Sequence, residues 1–302
     1  MNSIRIKKDW RRNKVIYLMV LPVVAFFIIF SYAPMAGVLM AFERYSVKGG
    51  IFGSQWVGLK NFIDFFESYY FIRLLKNTFL LSFYDLIFSF PAPIIFALLM
   101  NELRSVKFKR VVQTISYMPY FVSMVVIAGI IIDFFSSTGA ITAIISRLGG
   151  PSGNLVGMPD LFRSIFIGTN IWQYLGFGSV IYMAALSGID QQLYEAATLD
   201  GAGRLRRIIH ITIPCISSTI IILLILRLGN LLSVSFEKVI LLYSPSTYSV
   251  SDVITSFTFR KGLLEFNYGY STAVGLFNSA LNFIMLVIAN KLSRKFSGTS
   301  LF

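Results

Sequence analysis

The sequence has very few of the residues that build disulfide frameworks and metal centres. Its 302 residues include one cysteine and one histidine, Cys215 and His210. A single thiol cannot form an intrachain disulfide, and one thiol with one imidazole is too few for a Cys/His metal site. The scarcity of these residues also disfavours a membrane-embedded enzyme. We therefore expect this chain to bind no metal and no cofactor.

Acidic residues are scarce as well, with 14 aspartates and glutamates against 27 lysines and arginines. In contrast, 56% of the chain is hydrophobic, and much of it lies in long uninterrupted apolar runs. A hydrocarbon layer about 30 Å thick requires about 20 apolar residues for each helix that crosses it. Six stretches meet this length: 14–42, 77–100, 111–132, 162–187, 213–234 and 272–290.

The distribution of positive charge predicts the orientation of these six helices. If both termini are cytoplasmic, the inside segments hold 16 lysines and arginines and the longer outside segments hold 10. This is the expected positive-inside bias, and it explains the basic charge without nucleic acid as a partner. The sequence predicts an all-α integral membrane protein with six transmembrane helices, both termini cytoplasmic, and one multi-pass domain over residues 1–302 in contact with lipid.

A short polar segment between the fourth and fifth predicted helices is the most informative motif. Ala196 and Ala197 favour a helix, and their small side chains allow another protein to approach closely. Glu195 is expected near the start of that helix, where the helix dipole favours a negative charge. Gly201 permits a left-handed turn, and Pro214 suits the first turn of a following helix. The segment therefore predicts a helix, a sharp turn and a second helix that protrude on the cytoplasmic side.

This segment, at about 190–214, resembles the EAA loop of ABC-importer permeases. The positions that match in residue type and spacing are Glu195, Ala196, Ala197, Asp200, Gly201, Ile211 and Pro214. Ile213 stands where the family usually has leucine. By this resemblance, the loop transmits force from an ATPase in the cytoplasm.

Other segments extend the resemblance over nearly the full length. They lie at 9–13, 90–93, 108–110, 117–119, 243–245 and 250–254. They are similar to the polysaccharide and oligosaccharide permeases of carbohydrate-uptake ABC importers, which are common in Gram-positive bacteria. The resemblance implies a type I ABC importer permease fold in the plasma membrane. It also implies three partners: a second, homologous permease that forms a heterodimer, an ABC ATPase dimer, and an extracellular lipid-anchored solute-binding protein.

The sequence contains no G-x-x-x-x-G-K-[ST] phosphate-binding loop. We therefore expect a transport subunit without an ATPase site of its own, with ATP and Mg²⁺ bound by the partner ATPase.

Polar side chains inside the predicted helices are candidates for a substrate path, because such groups are costly in hydrocarbon. The candidates are Asn170, Gln173, Tyr174, Phe177, Arg227, Asn230, Asn278 and Asn282. The first four recur at helical spacing and share one face of the fourth helix. Amides and charged groups bind hydroxyls, and aromatic faces bind C–H surfaces, so the set suits a carbohydrate. Hydrogen bonding between helices is the alternative role. Asp85 is expected either to neutralise Arg227 or to face the partner permease.

The leading hypothesis is the import of an oligosaccharide or polysaccharide fragment, driven by ATP hydrolysis on a separate subunit. One alternative is an ABC permease for a non-sugar solute such as a peptide or phosphodiester. A less favoured one is an ion-coupled secondary transporter, for which Asp85 is the clear intramembrane acid. The predicted outside segment 236–270 is long and rich in turns, which suits contact with a delivered partner or the plugging of a cavity.

Overall fold

The computed structural model describes residues 3–233 and 235–297, and helices make up nearly all of its regular structure. The α-helices are α1 Ser3–Phe27, α2 Gly50–Gly53, α3 Lys60–Phe66, α4 Phe71–Tyr84, α5 Pro91–Glu102, α6 Val106–Tyr117, α7 Met124–Phe134, α8 Ala140–Arg147, α9 Pro159–Gly178, α10 Val180–Ser187, α11 Gln191–Leu199, α12 Arg204–Arg207, α13 Ile213–Gly229, α14 Phe236–Leu242, α15 Tyr248–Ser251, α16 Ile254–Phe259 and α17 Tyr268–Ser297.

Shorter helical turns with other hydrogen-bond spacings join several of these helices. The π turns are Ile28–Tyr32, Asp85–Ser89, Ile208–Thr212 and Arg260–Leu264, and the 3₁₀ turns are Ala33–Phe42, Met118–Phe121 and Leu155–Gly157. Two short strands, β1 Glu43–Arg44 and β2 Gln55–Trp56, form an antiparallel ribbon.

Four continuous helical runs in the described part of the chain are long and apolar enough to cross a membrane. They are Arg12–Phe42, Phe71–Glu102, Arg204–Gly229 and Tyr268–Lys295. These runs overlap the first, second, fifth and sixth predicted helices. The fifth ends at Gly229 rather than at residue 234, because Asn230 leaves the helical conformation.

The structure does not have one straight helix over 111–132, as the sequence predicted. Instead α6, extended by a 3₁₀ turn, and α7 are bent by 103° at a short break. Pro119 lies in the 3₁₀ turn and has no backbone N–H to continue the α-helix. Ser123 then begins α7, and its hydroxyl accepts a hydrogen bond from the Val126 backbone N–H at 3.5 Å. If this bent pair is one span, up to five spans are long and apolar enough among the described residues.

The chain folds into two compact units. The first comprises Met1–Ser68 and Thr258–Leu276, and the second Tyr69–Phe257 and Phe277–Phe302. In the first unit, the Asn61 side chain ties α3 to the start of the ribbon. Its amide nitrogen donates to the backbone oxygens of Ala41 at 2.9 Å and Glu43 at 3.0 Å.

The second unit has a well-packed interior. One buried apolar cluster joins α7, α9 and α14 and includes Ile127, Phe166 and Val239. Another joins α5, α10 and α13. Gly176 of α9 lies directly against the Ser116 backbone and leaves no room for a Cβ atom, so α6 and α9 approach closely. These contacts fix the helices of the second unit relative to one another.

The predicted outside segment is not a long loop. Within the second unit it forms α14, α15 and the start of α16, and most residues from 251 to 257 are buried. The polar face of α4 holds it in place. Asn77 donates to the backbone oxygens of Ser249 at 3.0 Å and Asp252 at 3.1 Å, and the Thr78 hydroxyl accepts from the Ile254 N–H at 3.0 Å.

Candidate coupling loop and transport cavity

The first arm of the candidate coupling loop is α11. Asp190 caps it, because its carboxylate accepts a hydrogen bond from the Gln192 N–H at 2.9 Å. Glu195 is the fifth residue of the helix and lies outside its first turn. The expectation that Glu195 stabilises the helix start was therefore wrong, since the helix begins at Gln191 and Asp190 supplies the negative charge there.

A left-handed residue ends this arm, as the sequence predicted. Gly201 has a φ of +76°. The Ala202 N–H donates to the Ala197 oxygen at 2.8 Å, and the Gly201 N–H donates to the Thr198 oxygen at 3.1 Å. Together these two bonds form a Schellman motif, which satisfies the last carbonyl groups of the helix and reverses the chain.

The second arm begins earlier than the proline suggested. Pro214 is the second residue of α13 and lies in its first turn, as the sequence predicted. The helical run as a whole nevertheless starts at Arg204, because α12 and a π turn lead directly into α13. The π turn Ile208–Thr212 ends two residues before this proline. A π turn is a usual way for a helix to absorb a local disruption of its hydrogen bonding, and this one lets the helix continue through Pro214.

Side-chain hydrogen bonds join the two arms. The Tyr194 and Thr212 hydroxyls lie 3.0 Å apart, and the Arg207 guanidinium donates to the Thr198 hydroxyl at 2.9 Å. The loop is therefore a fixed helix–turn–helix and not a flexible connection.

The surface of this loop combines charged side chains with small and apolar ones. Glu195, Ala196 and Asp200 are exposed, and Ala197 is half-buried. Leu199 is 88% exposed, and Leu205 is also exposed. An exposed leucine beside alanines on a rigid turn has the composition of a protein-docking surface.

Three of the predicted substrate-path residues line one cavity of about 430 Å³ in the second unit. They are Asn170 and Tyr174 from α9 and Arg227 from α13. Pro93 of α5 and Tyr182 of α10 also line it, together with other residues of these helices and of the segments before α5 and α14. The cavity therefore combines amide, hydroxyl, guanidinium and aromatic groups.

Asp85 binds two of the polar groups at this cavity. Its carboxylate forms an ion pair with the Arg227 guanidinium and accepts a hydrogen bond from the Asn170 amide at 2.6 Å. Asp85 is buried, whereas the Arg227 side chain is 44% exposed. A buried carboxylate requires such partners. Asp85 was expected either to neutralise Arg227 or to face the partner permease. In the structure it neutralises Arg227.

The other two residues of the predicted α9 stripe do not line this cavity. Gln173 is buried, and its side-chain oxygen has no hydrogen-bond partner in the described part of the chain. Phe177 stacks on Tyr120, with ring centroids 3.9 Å apart. Tyr120 also contacts the Tyr174 ring edge to face, at 5.8 Å. An aromatic cluster therefore lies beside the cavity.

The remaining three candidates lie away from the cavity lining. The Asn282 side chain accepts from the Leu232 N–H at 2.9 Å and donates to the Ser233 hydroxyl at 3.0 Å. These bonds join α17 to the turn that follows α13, so Asn282 has a structural role. Asn278 is buried, and its side-chain oxygen has no hydrogen-bond partner among the residues described. Asn230 is exposed just beyond α13.

Sequence reasoning missed several groups at this site. Ser89, Tyr182 and Ser235 line the cavity. Ser89 lies four residues after Asp85, so helical spacing from the one intramembrane acid is a signal that identifies it. Tyr182 and Ser235 carried no comparable signal.

A buried lysine lies in α14, in the segment predicted outside the membrane. Lys238 is fully buried, and its Nζ atom lies 5.3 Å from the centre of the Phe166 ring. It has no hydrogen-bond partner among the described residues. Burial disfavours the charged form and lowers the pKa of Lys238 to about 7.

Residues 89–298 match the model of a family described as the binding-protein-dependent transport system inner membrane component. This is more than half of the chain, and it includes the coupling loop and α9. The chain belongs to this family.

Individual relatives agree with this assignment over nearly the whole length. The chain is 44% identical to Protein LplB of Bacillus subtilis (strain 168), covering 97% of this chain and 92% of that protein. It is 42% identical to the polygalacturonan/rhamnogalacturonan transport system permease protein YteP of the same strain, covering 94% and 89%.

A similar fold occurs in a solved structure, the bacterial alginate ABC transporter in complex with an alginate pentasaccharide-bound periplasmic protein. The TM-score is 0.91 at 42% identity, covering 98% of this chain and 100% of that chain. The sequence-based identification of a carbohydrate ABC-importer permease with the type I fold is thereby confirmed.

Proposed function

We propose that this chain is one of two different permease subunits in a binding-protein-dependent ABC importer of the plasma membrane. In this proposal an ATPase dimer binds ATP and Mg²⁺ on the cytoplasmic side, and a lipid-anchored binding protein delivers the substrate from outside. The chain itself holds no ATPase site and no cofactor. Six spans with both termini in the cytoplasm belong to the same proposal.

The observation that carries the proposal is the geometry of the coupling loop. It is exposed, rigid and closed by a Schellman motif at Gly201. A rigid loop transmits a displacement, whereas a flexible loop absorbs it. Helix α13 continues from this loop to Arg227, so a push on the loop would reach the transport cavity along a single helix.

The cavity supports an oligosaccharide or polysaccharide fragment as the substrate. Asn170 and Arg227 supply polar groups for hydroxyls, and Tyr174 supplies an aromatic face. Two relatives with 42% identity are named for polygalacturonan/rhamnogalacturonan and alginate. We therefore propose oligosaccharides or polysaccharide fragments as the substrates of this chain.

Reconstituted transport provides the test. The four-part importer in proteoliposomes should take up oligosaccharides only when ATP is present on the side of the ATPase. Tyr174→Leu should reduce uptake about tenfold, because it removes an aromatic face and a hydroxyl worth roughly 1–2 kcal/mol to a bound sugar.

Trp172→Leu is the matched control, since Trp172 is on the same helix but lines a separate apolar pocket. It should leave uptake within about twofold of wild type, because a change away from the site costs little. Uptake driven by an ion gradient without ATP would exclude the importer proposal. Equal loss in both variants would remove Tyr174 from the substrate path.

A further inference from the structure

The first compact unit contains a polar pocket of about 270 Å³ that the transport cavity does not involve. Its lining includes two acidic and two basic side chains together with an amide and a phenol: Glu43, Asp64, Arg44, Lys60, Asn61 and Tyr45. All six come from the ribbon, the chain that follows β1, and α3. In the predicted topology this region faces the outside.

Glu43 gives this pocket an unusual chemical feature. It is 6% exposed, and its Oε2 atom has no hydrogen-bond partner in the part of the chain that the structure describes. A buried carboxylate oxygen without a donor is costly. A ligand with hydroxyl groups would supply the missing donor.

The four charged groups of the pocket are also unpaired with one another. No ion pair joins Glu43, Arg44, Lys60 or Asp64 among the described residues, although both signs of charge line the same small space. A hard cation would meet two basic groups there, which opposes its binding. A ligand that carries both hydroxyl donors and an anionic acceptor can satisfy all four.

Asn61 adds an acceptor to this set. Its amide nitrogen is held by the Ala41 and Glu43 backbone oxygens, at 2.9 and 3.0 Å. These bonds fix the orientation of the amide and leave its oxygen as the group available to a ligand hydroxyl.

Aromatic side chains border the pocket. Tyr45 packs edge to face against Tyr268, with ring centroids 5.7 Å apart. Phe266 has a φ of 56° and is 71% exposed. A bulky residue rarely adopts this conformation, and such outliers occur most often at functional sites. The next residue, Asn267, lines the pocket.

We infer that this pocket is a second saccharide site, and that it binds a uronic acid unit. Arg44 and Lys60 would bind the sugar carboxylate, Glu43, Asp64 and the Asn61 oxygen would accept its hydroxyls, and Tyr45 would contact its ring. This inference rests on the proposed function and adds to it a substrate class: oligosaccharides that contain uronic acids.

Saturation-transfer difference NMR on the intact importer in nanodiscs provides a direct test. The probes are D-galacturonate and its uncharged methyl ester. D-galacturonate should bind with a Kd in the millimolar range, and Arg44→Gln and Glu43→Gln should each weaken it about tenfold, the effect of losing one charge-assisted hydrogen bond. The ester should bind wild type about as weakly as D-galacturonate binds Arg44→Gln.

Two controls locate the binding. Arg147→Gln changes an exposed arginine of α8 outside the pocket and should have no effect. Arg227→Ala should lower only the part of the signal that comes from the transport cavity and should leave the part that depends on Arg44, because Arg227 belongs to the other unit. A signal lost in Arg227→Ala but kept in Arg44→Gln would assign the binding to the transport cavity and overturn the inference.

Three other results would overturn it as well. One is no saturation transfer at galacturonate concentrations up to about 20 mM, well above a millimolar Kd. Another is equal binding of acid and ester, which would remove the recognition of the carboxylate. The third is unchanged sugar binding in Arg44→Gln with weaker docking of the solute-binding protein, which would make the pocket a protein contact. Importer that binds galacturonate here but transports no oligosaccharide would instead refute the proposed function and leave this site intact.

Discussion

Asp85 and Arg227 are the pair of residues on which the transport cavity depends most. The buried carboxylate has two partners, the Arg227 guanidinium and the Asn170 amide. Either charge alone would cost several kcal/mol of free energy in an apolar environment. Each side chain therefore stabilises the other among the helices, independently of any contact between Arg227 and a substrate.

A double-mutant cycle measures this dependence. Arg227→Met should lower the thermal unfolding midpoint in detergent, because the Asp85 carboxylate is left without its counter-charge. Asp85→Asn together with Arg227→Met should recover most of that loss, with a coupling energy of about 1–3 kcal/mol. The single variant Arg147→Met, on exposed α8, is the control for the loss of one arginine. Additive effects of the two changes would mean that the pair contributes nothing to stability.

Lys238 makes the stability of the second unit depend on pH. Its pKa is lowered to about 7 in the folded protein by burial, against about 10.4 in an unfolded chain. Between these two values the unfolded chain binds more protons, so the stability should rise as pH increases from about 7 to about 10. Below pH 7 the lysine is protonated in both states and its full desolvation cost remains.

Lys238→Met tests this dependence. The variant should be more stable than wild type at pH 6, by a few kcal/mol at most, and the difference should shrink at pH 9. Thermal midpoints of the purified chain at both pH values provide the measurement. If wild type and variant keep a constant difference across this range, Lys238 does not titrate as its burial indicates.

At the scale of elements, the coupling loop is the helix–turn–helix on which transport is expected to depend. Gly201→Val places a β-branched residue at a φ of +76° and should cost about 1–2 kcal/mol of local strain. The turn would open and α11 would move relative to α13. Binding-protein-stimulated ATPase activity and uptake should therefore both fall, while membrane insertion stays normal.

The same substitution two residues away is the matched control. Gly203 has a φ of −67° and open space at its Cβ position. Valine is therefore unstrained there, and Gly203→Val should keep stimulated ATPase activity close to wild type. Normal coupling in Gly201→Val would show that the loop does not transmit force through this turn.

The features of these elements that the sequence predicts correctly depend on residues close together in the chain. Gly201 was predicted to end a helix because a glycine at the C′ position needs no distant partner. The helix starts earlier than the position of Glu195 indicated, because Asp190 caps α11 and Gln191 is its first residue. The bend between α6 and α7 also had local signals, Pro119 and Ser123, but the continuous hydrophobicity of 111–132 outweighed them.

The burial of residues 251–257 could not be predicted from the sequence. It depends on Asn77, which lies 172 residues before Ser249, and no local pattern connects them. The transport cavity shows the same limit. Helical spacing placed Asn170 and Tyr174 on one face correctly, but Phe177 on that face meets Tyr120 instead of the cavity. Helical spacing in the sequence shows which residues share a face of a helix. It does not show which side chains from other elements pack against each turn of that face.

At the scale of the whole molecule, the orientation in the membrane is still a prediction. Lys107 and Ser246 are both exposed, and the sequence places them on opposite sides of the membrane. Single cysteines at these positions, in a Cys215→Ser background, should react with a membrane-impermeant maleimide from one side each. The cysteine at position 107 should label only from the cytoplasm and that at 246 only from outside. The opposite pattern would invert the positive-inside assignment.

The break between α6 and α7 also bears on how long this chain survives in a cell. Phe121 and Ser123 flank the break and are exposed, and the backbone at residues 122 and 123 is not helical. Within a bilayer, such backbone is tolerated only where protein or water covers it. In the proposed heterodimer the companion permease would cover this break, so a chain made without it should present these polar groups to lipid and be degraded faster. Cellular amounts of the chain should therefore follow the synthesis of its companion, and imbalance between the two should be corrected by degradation.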